Sequence, residues 1–240
     1  MIYQSMLDLA GKRKLLALLI DPDETGVDEL PGLLGHAAES GVSFVLVGGS
    51  LVNNPVDQLI CAIKGLTEIP VILFPGHPGQ LSGKADAILL LSLISGRNPE
   101  FLIGNHVVSA RFLSKSGLEI IPTGYMLIEN GTISSVEYMS NARPLPRNKP
   151  DLSVSTAMAG EMLGLKLIYL EGGSGAQGII PAGIISAVRE NIKVPLIVGG
   201  GIRSGRDLRM VFDAGADIAV VGSSVEKDPS ILREFAAIIK

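Results

Sequence analysis

Three apolar stretches in the last third of the chain each run straight into glycine. Residues 167–175 read LIYLEGGSG, residues 196–201 read LIVGGG and residues 218–223 read IAVVGS. Unbroken apolar runs of this length belong to strands buried on both faces, as in a parallel sheet covered by helices. Between them lie helix-patterned segments, so the repeating unit is strand then helix. A parallel sheet built from such units closes into a (β/α)8 barrel of about 250 residues, and the chain has 240. The expected fold class is therefore α/β, a TIM barrel.

Earlier in the chain the same rhythm recurs. Strands are expected at residues 15–21, 44–47, 71–74, 87–91 and from 118 to 121, and the three already described complete eight. Helical spacing of apolar residues covers 27–40, 55–66, 99–115, 152–163, 181–189, 204–214 and 229–239, and residues 2–11 form a short helix able to plug the barrel floor. One crossover is missing. Residues 75–86 (PGHPGQLSGKAD) hold two prolines and three glycines, which cannot make a helix. The barrel is thus a modified one, lacking a regular helix after strand 3. That gap is either a shielding loop or a groove through which a long apolar tail leaves the barrel. Residues 122–150 read as an irregular insertion with a hairpin, a lid by length. It carries Arg143, Arg147 and Lys149, either a solvated basic loop or a clamp on a diphosphate. With no linker, repeat or low-complexity tract, residues 1–240 are one domain.

Glycine-rich strand ends expose main-chain N–H groups with no Cβ in the way, which suits an anion. In a parallel barrel such ends lie side by side, and the loops after strands 7 and 8 commonly hold phosphate. Glu171 sits inside this arrangement, where a carboxylate repels phosphate. A general base beside a bound phosphate ester accounts for it. Tyr169, two positions earlier on the strand, shares its face. At the first two strand ends, Asp21 follows LLALLI and Ser50 follows VLVGG. A carboxylate and a hydroxyl, with waters and substrate phosphates, is how Mg²⁺ is held, with Asp23 as the competing ligand. His36, His77 and His106 have no second histidine at helical spacing, and Cys61 is the only cysteine, so neither a zinc site nor a disulfide framework is expected.

A formal charge of −4 and the absence of a long Lys/Arg run argue against a nucleic-acid surface. The LLALLI run after Lys14 is too short for a secretory signal and ends in Asp21-Pro22-Asp23, and no run is long enough to span a bilayer. A cytoplasmic protein is expected.

Taken together, DPD after strand 1, GGS after strand 2, YLEGGSG, VGGGI and VVGS resemble the geranylgeranylglyceryl phosphate synthase family and its bacterial heptaprenylglyceryl relatives. SNARPLPRNKPDLSVSTAMAGEMLG is similar to the second, larger group of that family. The resemblance covers nearly the whole chain. It implies transfer of a long prenyl chain, geranylgeranyl first, from its diphosphate to the 3-hydroxyl of sn-glycerol 1-phosphate, with Mg²⁺ as cofactor. Asp21 and Ser50 are implied as metal ligands. Tyr169, Leu170, Glu171, Gly172, Gly173, Ser174 and Gly175, with Gly200, Gly201, Gly222 and Ser223, are implied to hold the glycerol phosphate. Glu171 is implied to lie near the accepting hydroxyl. The family stretch reads closer to YLEAGSG, so Gly172 departs from it and is expected to loosen the turn. A homo-oligomer is implied, hexamer rather than dimer. The competing reading is a phosphate-binding isomerase or lyase of amino-acid or cofactor biosynthesis, which typically presents a strand-end Asp or Lys as acid and base; this chain offers Glu171 and no strand-end lysine. A non-enzymatic binding barrel is the third.

Overall fold

The computed structural model describes residues 1–239. Eight strands form a closed barrel in chain order: β1 (Leu15–Ile20), β2 (Phe44–Val47), β3 (Val71–Leu73), β4 (Ala87–Leu93), β5 (Glu119–Leu127), β6 (Leu167–Glu171), β7 (Leu196–Gly199) and β8 (Ile218–Val221). Every neighbouring pair is parallel, and β8 closes onto β1. Successive residues of a strand point to opposite faces, which divides the core in two. Leu15, Ala17, Phe44, Leu46, Ile72, Tyr169 and Ile197 fill the barrel. Leu16, Leu18, Val45, Ile168, Leu170 and Val198 pack outward under the helices. Helix α1 (Ile2–Ala10) plugs the floor as expected: its Met6 is 2% exposed within the inner cluster. Its first amides donate to the Glu119 carboxylate at the foot of β5.

The outer layer consists of α2 (Leu30–Glu39), α3 (Val56–Leu66), α4 (Asn105–Ser116), α5 (Ser135–Ser140), α6 (Pro150–Met162), α7 (Ala182–Asn191), α8 (Gly205–Asp213), α9 (Ser223–Lys227) and α10 (Ile231–Ile239). A π-turn, Glu100–Gly104, leads into α4. Only a one-turn 3₁₀ segment, Pro78–Gln80, stands between β3 and β4, so the missing crossover helix is confirmed.

One expectation needs correcting. Residues 122–127 are not a hairpin or part of an irregular lid; they continue β5, pairing Leu90 with Pro122 through Leu93 with Tyr125. Pro122 lacks an N–H, yet its carbonyl still accepts the Lys166 amide at 2.8 Å, so the ladder to β6 survives one lost donor. The segment after β5 then forms α5 and returns at Leu145, which exchanges main-chain bonds with Leu127 and Glu129. Directly after β8, Ser223 opens the short helix α9.

Without a crossover helix, the start of β3 is held to β4 by Asp86. Its Oδ2 accepts the Val71 amide at 2.8 Å and its Oδ1 meets Lys64 Nζ at 2.6 Å. Both side chains of the ion pair are about a third exposed or more, so the pair itself contributes little. Asp86→Ala should therefore cost about 1–2 kcal/mol through the orphaned amide, and Lys64→Ala less than about 1 kcal/mol. Urea denaturation of both variants measures the difference; equal losses would place the effect in the ion pair.

Candidate active site

Strand parity places the chemistry. On β6, Tyr169 and Glu171 point into the barrel mouth, while Leu170 points outward into the core under the helices. Leu170 thus does not offer its side chain to the mouth. Glu171 is 7% exposed, and its Oε1 accepts the Gly173 amide at 2.6 Å. Burial raises its pKa above the ordinary carboxylate range, while the Gly173 amide and the phenols of Tyr169 and Tyr125 pull it back down. Tyr125 falls within the stretch expected to be an irregular insertion. It belongs to this site because β5 runs on through it, in register with Tyr169. The signal was present in the alternation of Tyr125 and Leu127, masked by Pro122.

Tyr125, Tyr169 and Phe74 form an aromatic floor to the mouth. Phe74 stacks on Tyr169 with centroids 5.3 Å apart, and Tyr125 meets Tyr169 at 5.3 Å and Phe74 at 5.9 Å. The Tyr169 hydroxyl is buried and makes no hydrogen bond of normal length within the described chain. It passes over Gly199, where a Cβ would lie 2.2 Å from it. Burial and the Glu171 charge raise the pKa values of both tyrosines, so both remain phenols able to donate.

The glycine loops converge on Glu171. Gly200, at φ +84°, lies where a Cβ would meet Glu171 Oε1 at 2.7 Å and the Gly172 and Gly173 amides at 3.0 Å. Not all of the expected nest is free. The Gly172 amide donates to the Gly199 carbonyl at 3.0 Å, and the Gly173 amide serves Glu171. The amides of Ser174, Gly175, Gly200, Gly201 and Ser223 have no partner in the described chain. These are the donors available to an anion, the last of them at the start of α9 after Gly222. Arg203, which sequence reading passed over, steadies the β6 loop by donating to the Ala176 carbonyl. Beside Gly172 lies the Asn130 carboxamide: a Cβ on Gly172 would come 2.9 Å from Asn130 Nδ2.

At the opposite side of the mouth, the Asp21 carboxylate lies against Gly49, where a Cβ would be 2.5 Å from Oδ2. Ser50 is the next residue. Burial raises the pKa of Asp21, and Asp23 and Glu24 raise it further against the Asp23 amide that lowers it. Glu226 on α9, also raised mainly by burial, stands beside Asp21. Asp23 is committed elsewhere: its oxygens accept the Asn53 and Asn54 amides at 2.8 to 3.0 Å, fixing that loop. Gln80 ties the β2 loop to the helix-free segment, donating to the Gly49 carbonyl at 2.8 Å and accepting the Gly76 amide at 3.2 Å. No group of three or more His, Cys, Asp or Glu side chains able to hold a metal occurs among the described residues. Arg143, Arg147 and Lys149 are exposed, and none takes part in an ion pair among the described residues.

From Gly49, Ser50 and Tyr125 a cavity runs past Phe74 and Leu90 to His106 and Ser109 of α4. Its walls are mostly apolar, and it passes through the place where the crossover helix is missing.

A parallel barrel with free amides at the ends of β6 to β8 and a buried carboxylate among them has the architecture of a (β/α)8 enzyme with a mouth suited to an anion. Comparison narrows this. The PcrB family model matches residues 9–239, and the chain belongs to that family. It is 52% identical over 229 residues to the geranylgeranylglyceryl phosphate synthase of Spirosoma linguale, covering 95% of this chain and 92% of that one. The wild-type enzyme of that name from Thermoplasma volcanium superposes with a TM-score of 0.94 at 35% identity, over 100% of this chain and 97% of the other. The Thermoplasma acidophilum synthase, solved in complex with its substrate sn-glycerol-1-phosphate, gives 0.94 at 32% identity, over 100% and 98%.

Because the raised pKa of Glu171 belongs to the folded state, the folded protein holds that proton more tightly than the unfolded chain does. The contribution of Glu171 to stability is therefore greatest below the ordinary carboxylate pKa and is lost as pH rises through the shifted value. Glu171→Gln keeps an acceptor for Gly173 and removes the charge. It should raise Tm at pH 8 by about 2–4 °C, the shift that about 1 kcal/mol produces in a domain of this size. At pH 4 the gain should vanish. Thermal melts across pH test this; a pH-independent difference would refute it.

Proposed function

We propose that the chain is a prenyltransferase joining a long-chain prenyl diphosphate, geranylgeranyl diphosphate first, to the 3-hydroxyl of sn-glycerol 1-phosphate. The product is a prenylglyceryl phosphate ether of ether-lipid biosynthesis, with diphosphate released. The observation that carries the reading is Glu171: a buried carboxylate among main-chain amides left free for a phosphate. The names of the relatives and the glycerol phosphate bound to the Thermoplasma acidophilum enzyme support it.

In this reading the phosphate takes the free amides of Ser174, Gly175, Gly200, Gly201 and Ser223. The glycerol hydroxyl then reaches Glu171, which accepts its proton as the C–O bond forms. Fixing acceptor and base in one geometry removes much of the entropic part of the barrier. The raised pKa of Glu171 makes it a stronger base than an exposed carboxylate. The prenyl tail lies in the apolar cavity toward α4, and Leu90, Phe74 and neighbouring side chains exclude water from it. Tyr125, Tyr169 and Phe74 pack together beside Glu171, so the rings that border the reacting groups are aromatic.

The residues present suit Mg²⁺: one half-buried carboxylate, Asp21, beside the hydroxyl-bearing Ser50, with substrate oxygens and waters filling the remaining positions. When bound there, Mg²⁺ neutralises charge growing on the leaving diphosphate. Asp23 is a poorer ligand because its lone pairs already take loop amides. We further place the working enzyme in the cytoplasm as a homo-oligomer, a hexamer by likeness to the larger group of the family. Supporting this, no helix among the described residues is long and apolar enough to cross a membrane. Ile103, Val107 and Phe112 also leave an apolar surface exposed on and beside α4.

Incubating the protein with labelled glycerol 1-phosphate, Mg²⁺ and prenyl diphosphates of several lengths should yield a prenyl ether. No such product with any of them would leave the isomerase or lyase reading. Glu171→Gln should lower kcat by about 10²-fold or more while glycerol phosphate still binds; near-normal turnover would remove Glu171 from the chemistry. Asp21→Ala should raise the Mg²⁺ concentration needed for half-maximal rate, and an unchanged requirement would move the ligand elsewhere.

A further inference from the structure

Asn130 lies in the loop after β5 and is 6% exposed. Its Nδ2 donates to the Gly178 carbonyl at 2.6 Å. That carbonyl presses in turn on Gly201, where a Cβ would sit 2.1 Å from its oxygen. A Cβ built on Gly172, at the other end of the β6 loop, would lie 2.9 Å from the same Nδ2, so a methyl group there would displace the carboxamide. One side chain from the loop after β5 therefore reaches both ends of the 172–178 loop and, through Gly178, bears on the β7 loop. Gly172 itself is not in the left-handed region, so its backbone accepts alanine, and the carboxamide is what an added methyl would meet first. Asn130 Oδ1 is buried and has no partner within the described chain. An orphaned buried acceptor costs stability, so a carboxamide at this position is not explained by stability alone.

We propose that Asn130 is a positioning residue for the phosphate-ester acceptor. It acts as a clasp that holds residues 172–178 against Gly201 and so sets the spacing of the free amides of Ser174, Gly175 and Gly201. Gly172 is its matched partner, glycine because the clasp occupies the space a side chain needs. This rests on the reading that these loops bind sn-glycerol 1-phosphate. Its hydrogen bond goes to the β6 loop, so its influence is expected on the acceptor rather than on the diphosphate or the tail.

The test is a double-mutant cycle on the full chain, using Asn130→Ala, Gly172→Ala and both together, with sn-glycerol 1-phosphate titrated by calorimetry. Asn130→Ala should weaken binding by about threefold to tenfold, since the loop loses its tie. Gly172→Ala should weaken it more, because its methyl displaces the carboxamide. The double variant, with the collision gone, should bind more tightly than Gly172→Ala alone. The KM for glycerol 1-phosphate should follow the same order, while the KM for prenyl diphosphate stays within about twofold, a split that general loosening of the fold would not produce. If Gly172→Ala does not fold, Asn130→Ala alone decides through the same split between the two KM values. Additive losses, or equal losses for both substrates, would overturn the clasp while leaving the function intact. Failure of the unaltered protein to bind glycerol 1-phosphate would instead overturn the functional reading, and the clasp's role with it.

Discussion

Glu171 is kept almost dry at the end of a barrel strand, tied to one amide two residues on. That position is tolerable only because its surroundings are built from groups without side chains. A Cβ on Gly199 would strike the Tyr169 hydroxyl, and one on Gly200 would strike the Glu171 carboxylate itself. The glycines thus do two things at once. They let the β7 end approach the carboxylate closely, and they leave amides facing the space in front of it. A buried charge is costly unless hydrogen bonds satisfy it. Here they satisfy it partially, which is the condition for a base rather than a structural ion.

Around that centre the barrel divides its labour by side. The β6 to β8 ends are bare main chain, suited to a phosphate whose charge is spread over several oxygens. The β1 and β2 ends carry Asp21 and Ser50, held in place by glycine contacts and by Gln80 reaching across from the helix-free segment. The β3 to β4 connection is the thin wall, and the apolar cavity passes through it. Losing a crossover helix removes packing area, and the barrel offsets this with side-chain ties such as Asp86 to Val71. The opening is accordingly a stable feature of the fold rather than a defect in it.

Much of this was legible in residue order. Strand parity on LIYLE is enough to put Tyr169 and Glu171 on one face, and the prolines and glycines of residues 75–86 are enough to forbid a helix. Where reading failed, a local rule was outweighed by pairing partners distant in sequence. Pro122 ends a strand by propensity, but β4 and β6 flank it on both sides and supply enough other bonds to carry β5 on to Leu127. As a result Tyr125 joins the site instead of a lid. Asp21 is the first polar residue after its strand and Asp23 the competing candidate in the sequence; only the fold shows that Asn53 and Asn54 lie on Asp23 and occupy its oxygens.

By itself the sequence determined the barrel, the glycine ends and the single carboxylate among them, since period, length and the absence of Cβ atoms are properties of residue order. Tertiary structure decided which amides remain free, which tyrosines share the Glu171 environment and what occupies the space over Gly172. Those outcomes depend on contacts between loops far apart in the chain, such as Asn130 against Gly172 and Gly178, and no local pattern encodes how closely two loops approach.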